Sequence, residues 1–132
     1  MSPLSPYGLP QLLFVGLGGF IGSVGRFVMA GLANRFSPAL GFPLGTLTVN
    51  VIGCFLIGLI HGLAETRSLL GPDTRVFLFI GVLGGFTTYS TFGFESLTLL
   101  KDGAFLRATA NILLHIFVGL AAVWAGDTLG RL

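Results

Sequence analysis

Charge is what this sequence lacks most. Of its 132 residues only 9% are charged, against 53% hydrophobic, where a soluble domain carries about 25%. So few charges cannot cover a water-facing surface, and a mean hydropathy of +0.92 points to lipid as the solvent. The net charge of +2, from seven Lys/Arg and five Asp/Glu, is too small and too scattered to suggest a nucleic-acid partner. One cysteine, Cys54, excludes an internal disulfide, and no Cys/His metal-ligand spacing occurs. Nucleophile–base pairs, carboxylate dyads and phosphate loops are also missing, which argues against an enzyme. The first ten residues contain no Lys or Arg, so the opening apolar run reads as a retained helix and not as a signal peptide.

Long apolar runs are what remains. A membrane-crossing helix needs about 20 mostly apolar residues. Four such runs fall at 12–32, 44–63, 76–100 and 104–125, in a single transmembrane domain covering 1–132. Between them lie short connections: Asn34 to Pro38, Glu65 to Arg75 with the turn-forming Gly71-Pro72-Asp73, and Lys101-Asp102-Gly103. The fold class is therefore an all-α, four-helix membrane protein.

The third run is irregular. Residues 81–93 hold four glycines, three threonines and a serine. These are poor helix formers, so a break in the helix is expected there. Broken backbone at membrane depth persists only inside protein or beside a watery cavity. The carbonyls it frees suit a cation and the amides an anion. Gly18/Gly22, Gly58/Gly62 and Gly81/Gly85 are each four apart, the spacing that lets helix backbones approach closely.

The basic residues of loops and helix ends divide evenly. Arg67, Arg75 and Arg131 belong to the side of the termini and second connection; Arg35, Lys101 and Arg107 belong to the other. The positive-inside bias that sets orientation is nearly absent: either the translocon or the first helix sets the orientation regardless, or the chain inserts both ways round. Two opposite copies then pair about a twofold axis in the membrane plane.

Polar groups inside spans are costly and so mark function by default. Asn50 either donates to an anion or bonds a neighbouring helix, and Thr46 lies one turn earlier on its face. Asn111 and His115 form a polar stripe on the fourth run. Arg26 either snorkels to the interface or draws anions into a vestibule. Tyr89 and Phe92, three apart among Ser90 and Thr91, present ring edges of positive potential. Glu95 is expected to accept bonds from nearby hydroxyls or to pair with a base.

Gly84-Gly85-Phe86-Thr87-Thr88-Tyr89-Ser90-Thr91-Phe92 with Glu95 resembles the third-helix signature of the Fluc (CrcB) fluoride channels. Gly45 to Gly53 resembles that family's second-helix motif, and Gly18-Gly19-Phe20-Ile21-Gly22 with Arg26 its first. The resemblance implies a fluoride-selective channel in a bacterial inner membrane, working as an antiparallel, dual-topology homodimer. It implies a structural sodium ion at the dimer centre on the carbonyls of Gly84 and Thr87. It maps the pore onto Asn50, Tyr89, Phe92, Ser90, Thr91, Thr46, Glu95, Arg26, Asn111 and His115. Position 89 is tyrosine where phenylalanine is usual, and His115 replaces a smaller hydroxyl residue. Histidine there brings a group that titrates near neutrality. From the residues alone, two rivals share the size and charge balance: a small proton-coupled exporter of cations, and a non-transporting scaffold subunit. The exporter would need an acid in the first helix, where this chain has Arg26.

Overall fold

The computed structural model describes residues 7–132. Helix α1 (Leu9–Asn34) leads through a single-turn α2 (Ser37–Leu40) into α3 (Leu44–Arg67). A third span, Pro72–Lys101, is assembled from α4 (Pro72–Arg75), a π-helical stretch (Val76–Leu83), α5 (Gly84–Phe86) and α6 (Tyr89–Lys101). Helix α7 (Phe105–Gly130) returns across the bundle. All four spans are long and apolar enough to cross a membrane. They are longer than the runs at 12–32, 44–63, 76–100 and 104–125, because each helix extends by up to a turn or so into its polar flanks. The protein is a multi-pass membrane protein.

Local chemistry sets the connections. Asn34 Oδ1 accepts from the Gly45 amide at 2.8 Å and from Ser37 Oγ at 3.1 Å. One side chain thus ends α1 and satisfies an otherwise orphaned amide at the start of α3. Gly103 sits at φ +72° between α6 and α7, a left-handed position that only glycine takes without strain. The turn expected at Lys101-Asp102-Gly103 is therefore present. Gln11 Nε2 donates to Asp73 Oδ1 at 3.2 Å, which fixes the start of α1 beside the start of the third span.

The bundle has little conventional core. Among the described residues the buried hydrophobic side chains are Val49, Ala64, Leu83 and Ala108. Close backbone approach takes the place of a core. Helix α3 packs on α7 along the most extensive seam in the molecule, and α1 packs on the third span. In the first seam Gly58 and Gly62 meet the backbone of Val123 and Asp127, while Gly126 and Gly130 meet that of Phe55 and Leu59. In the second, Gly18 and Gly22 face Phe77 to Val82, and Gly85 faces Gly19. All three glycine pairs singled out by spacing lie in these seams. Lipid supplies no hydrophobic drive between helices, so dispersion contact of this kind is the main attraction available.

Within the π-helical stretch the bonds run five residues back, as from the Gly84 amide to Phe79 O. The helix proper then stops: Thr87 and Thr88 are extended, at φ −85°, ψ 158° and φ −149°, ψ 117°. The break expected within 81–93 is thus a two-residue interruption at Thr87–Thr88.

A methyl group on Gly126 or Gly58 would press on main-chain carbonyl oxygens that cannot swing aside. Overpacking of this kind costs about 1–3 kcal/mol. Gly16 has nothing within 4 Å of its added carbon. Gly126→Ala and Gly58→Ala are therefore expected to lower the thermal midpoint in detergent, with Gly16→Ala unchanged. Equal midpoints in all three would show that the α3–α7 seam does not limit stability.

Candidate functional site

The interruption is held by one side chain. Asn50, on α3, donates from Nδ2 to Thr88 O at 2.9 Å and accepts from the Thr88 amide at Oδ1 at 2.8 Å. Both backbone groups of an extended residue at membrane depth are thereby satisfied, where an unpaired group costs several kcal/mol. Of the two roles open to Asn50 from the sequence, bonding to a neighbouring helix is realised. Among the described residues its second amide hydrogen has no acceptor.

Thr88 then starts α6. Its Oγ1 accepts from the Thr91 amide at 3.3 Å, as an N-cap does, and donates to Thr91 Oγ1 at 3.0 Å. These two captures free two carbonyls. The Thr88 amide, the usual partner of Gly84 O in a continuous helix, is taken by Asn50; the Thr91 amide, the usual partner of Thr87 O, is taken by the Thr88 hydroxyl. Gly84 and Thr87 line a cavity of about 360 Å³ together with Asn50, Cys54, Thr88 and Tyr89. The amides of Tyr89 and Ser90, in the first turn of α6, also lack helical partners.

A larger cavity of about 810 Å³ also reaches Thr88. Arg26 and Arg35 of the α1 end stand on its wall, and Thr46, Thr88, Thr91 and Glu95 line its inner part. Among the described residues Arg26 makes no ion pair or hydrogen bond, so its charge is uncommitted within the protomer. It lies eight residues before the end of α1, about 12 Å in from that end. Thr46 Oγ1 donates to Glu95 Oε1 at 2.6 Å, the hydroxyl bond anticipated for this acid, and Glu95 Oε2 has no protein partner.

A polar line runs along α6 and α7. Asn111, 0% exposed, donates from Nδ2 to Ser96 Oγ at 3.0 Å, and Ser96 Oγ donates to Phe92 O at 2.8 Å. One turn on, His115 Nδ1 lies 2.8 Å from Asn111 O, and its ring rests on Phe92 with centroids 4.3 Å apart. Tyr89 packs on the same phenylalanine, with ring centroids 5.6 Å apart. Tyr89 is 83% exposed within the protomer, and Ser90 and Thr91 are exposed beside it.

The structure therefore joins most of the residues singled out in the sequence. Thr46, Thr91 and Glu95 converge on the break and its larger cavity, Asn50, Gly84 and Thr87 on the smaller one, and Tyr89, Phe92, Asn111 and His115 form one aromatic–polar row. Arg26 lines the larger cavity, while Ser90 makes no side-chain hydrogen bond among the described residues. Thr88 and Ser96 were missed. Thr88 could have been read as an N-cap from its place after a glycine-rich stretch. Ser96 had only its four-residue spacing from Phe92 to mark it. His61, at the far end of α3, lies 2.9 Å from Asp127, which also binds Arg131 at 2.7 Å.

Four tightly packed spans, the third interrupted at Thr87–Thr88 where two cavities meet Thr88, define a small polytopic membrane protein. Residues 13–127 match the family described as CrcB-like protein, Camphor Resistance (CrcB). The chain belongs to that family. It is 48% identical to the fluoride-specific ion channel FluC of Methylobacillus flagellatus, over 92% of this chain and 95% of the relative. It is 44% identical to the FluC of Nitratidesulfovibrio vulgaris, over 94% and 99%. It is 45% identical to FluC 3 of Methanosarcina barkeri, over 89% and 87%. All three relatives are named as ion channels, in accord with the absence of a catalytic constellation.

Asn50→Ala strips both partners from Thr88 and leaves buried polar groups unsatisfied, at about 1–3 kcal/mol. The amide of Thr88 should then exchange with deuterium faster than in the parent, while amides at the centre of α7 keep their rates. Unaltered exchange at Thr88 would show that the interruption does not depend on Asn50.

Proposed function

We propose that this chain is a fluoride-selective channel through which fluoride leaves the cytoplasm of a bacterium passively, across the inner membrane. The interruption of the third span carries this reading, because it leaves first-turn amides unpaired and hydroxyls exposed beside a cavity that an uncommitted arginine lines, with the Tyr89 and Phe92 rings on the turn that follows. The names of its relatives agree with it. Fluoride is small and strongly hydrated, so a pore must replace its water with other donors without binding it too tightly. Arg26 draws the anion to the larger cavity. The hydroxyls of Ser90 and Thr91 and the free amide hydrogen of Asn50 offer donors, and the edges of Tyr89 and Phe92 add weak positive potential. Thr46 orients Glu95 at the inner wall, and Asn111 and His115 line the α7 side.

The active unit in this proposal is an antiparallel homodimer. Support comes from the even charge balance of the two sides and from the outward aspect of Tyr89, Ser90 and Thr91, which a second copy would cover. A sodium ion at the dimer centre fits the carbonyls of Gly84 and Thr87, since both have lost their amide partners and a hard cation takes oxygen ligands. Bound there, it would supply positive charge that holds the interruption open. The remaining work of shaping the path falls to Asn50 and Thr88.

Liposomes containing the purified protein, with valinomycin balancing charge, test the reading directly. Rapid release at a fluoride electrode with none at a chloride electrode is expected. Failure of both ions to leave vesicles that hold folded protein would refute the channel. Phe92→Ile removes the ring edge while keeping an apolar side chain of moderate size. It should abolish fluoride release without changing the elution volume of the protein; undiminished release would take Phe92 out of the pore.

A further inference from the structure

The row on α6 and α7 contains a feature that a pore for an anion does not call for. Among the described residues three buried side-chain atoms have no partner: Glu95 Oε2, Asn111 Oδ1 and His115 Nε2. The first two are acceptors. The third is an acceptor as well when His115 is neutral, by the following logic. His115 Nδ1 lies 2.8 Å from the carbonyl oxygen of Asn111. A carbonyl can only accept, so the proton of a neutral imidazole must sit on Nδ1, leaving a bare lone pair on Nε2. The ring carrying that lone pair rests on Phe92. A lone pair there repels an anion. A proton taken from solution onto Nε2 turns the same atom into a charged donor, the stronger kind of hydrogen-bonding group toward an anion.

We propose that His115 determines permeation by its charge: fluoride passes Phe92 readily only when His115 Nε2 is protonated, so flux rises as pH falls. This rests on the channel reading above and goes beyond it by assigning the conducting state to one protonation state of one residue. The surroundings of His115 leave the control to His115 itself. Helix α7 packs on α3 and α6. On α6, Glu95 is engaged by Thr46 through Oε1, and Lys101 is at the helix end. On α3, Cys54 lies toward Gly119, one turn along α7, and His61 pairs with Asp127 at the far end. On α7, Arg107 stands about two turns away and Asp127 about three. None of these groups makes an ion pair or hydrogen bond with His115 among the described residues.

Histidine changes charge between about pH 5 and 8, which sets the range of the experiment. Fluoride release from liposomes is measured across that range for the parent, His115→Gln and His115→Ser, with the release from protein-free vesicles, which reports leak of hydrogen fluoride, subtracted. Parent flux should rise roughly tenfold from the alkaline to the acid end, the effect of gaining about one charge-assisted hydrogen bond. Both variants should conduct with little pH dependence, because neither side chain titrates. A merely structural role would lower flux equally at every pH. Parent flux that is substantial and flat overturns the proposal and leaves the channel standing; absence of flux at every pH overturns the channel reading itself. Should the variants fail to fold, nitrogen-15 imidazole spectra of the parent decide, with His61→Gln used for assignment. The Nδ1–H tautomer is expected at the alkaline end, and an Nε2–H tautomer there would overturn the proposal.

Discussion

Everything particular about this molecule depends on satisfying two backbone groups of one residue. A helix crossing a bilayer satisfies its own main chain; an interrupted one does not, and lipid offers nothing in exchange. Asn50 resolves the conflict by presenting a donor and an acceptor to Thr88 in the geometry of a neighbouring strand. Because one amide serves both groups, the break is confined to two residues and α6 resumes at once. The capture has a second effect: taking the Thr88 amide from the helical ladder leaves Gly84 O without its amide partner. The Thr88 hydroxyl, by taking the Thr91 amide, does the same to Thr87 O.

The clamp functions only if α3 and the third span stay in register, and there the glycine seams matter. Helix α3 is fixed against α7, and α1 against the π-helical stretch, by contacts of main chain with main chain. Such contacts are short and stiff, and they hold Asn50 and Thr88 at hydrogen-bonding distance without a large core. A thin bundle follows. With few buried side chains, each helix presents most of its surface outward. That surface is available to lipid.

Much of this was legible in the sequence because it is written in composition and spacing. The four spans follow from the apolar runs, the seams from glycines four apart, and the interruption from the crowding of glycine and threonine in 81–93. What stayed hidden depends on distant partners. Nothing local to Asn50 says that both of its amide atoms point to Thr88, 38 residues away. The role of Ser96 is unreadable for the same reason: an isolated hydroxyl in a helix reads alike whether it caps, relays or packs. The π-helical course of Val76–Leu83 leaves no mark in an evenly apolar stretch. The helix ends ran further than the apolar runs because the polar flanks, Asn34 and Arg67 among them, continue the helical hydrogen bonding into the headgroup region.

Donors and acceptors are distributed unevenly around the proposed path, and this bears on conduction. On the α1–α3 side stand Arg26, the second amide hydrogen of Asn50 and the first-turn amides of α6, with Glu95 Oε2 an unpartnered acceptor among them. On the α7 side the unpartnered atoms are acceptors, beginning with Asn111 Oδ1. Asn111 cannot simply be turned round to reverse this. Ser96 gives its only proton to Phe92 O, so it must accept from Asn111, and that fixes Nδ2 toward Ser96. An anion between the two sides is attracted by one wall and resisted by the other, which keeps it from settling too deeply, as conduction requires.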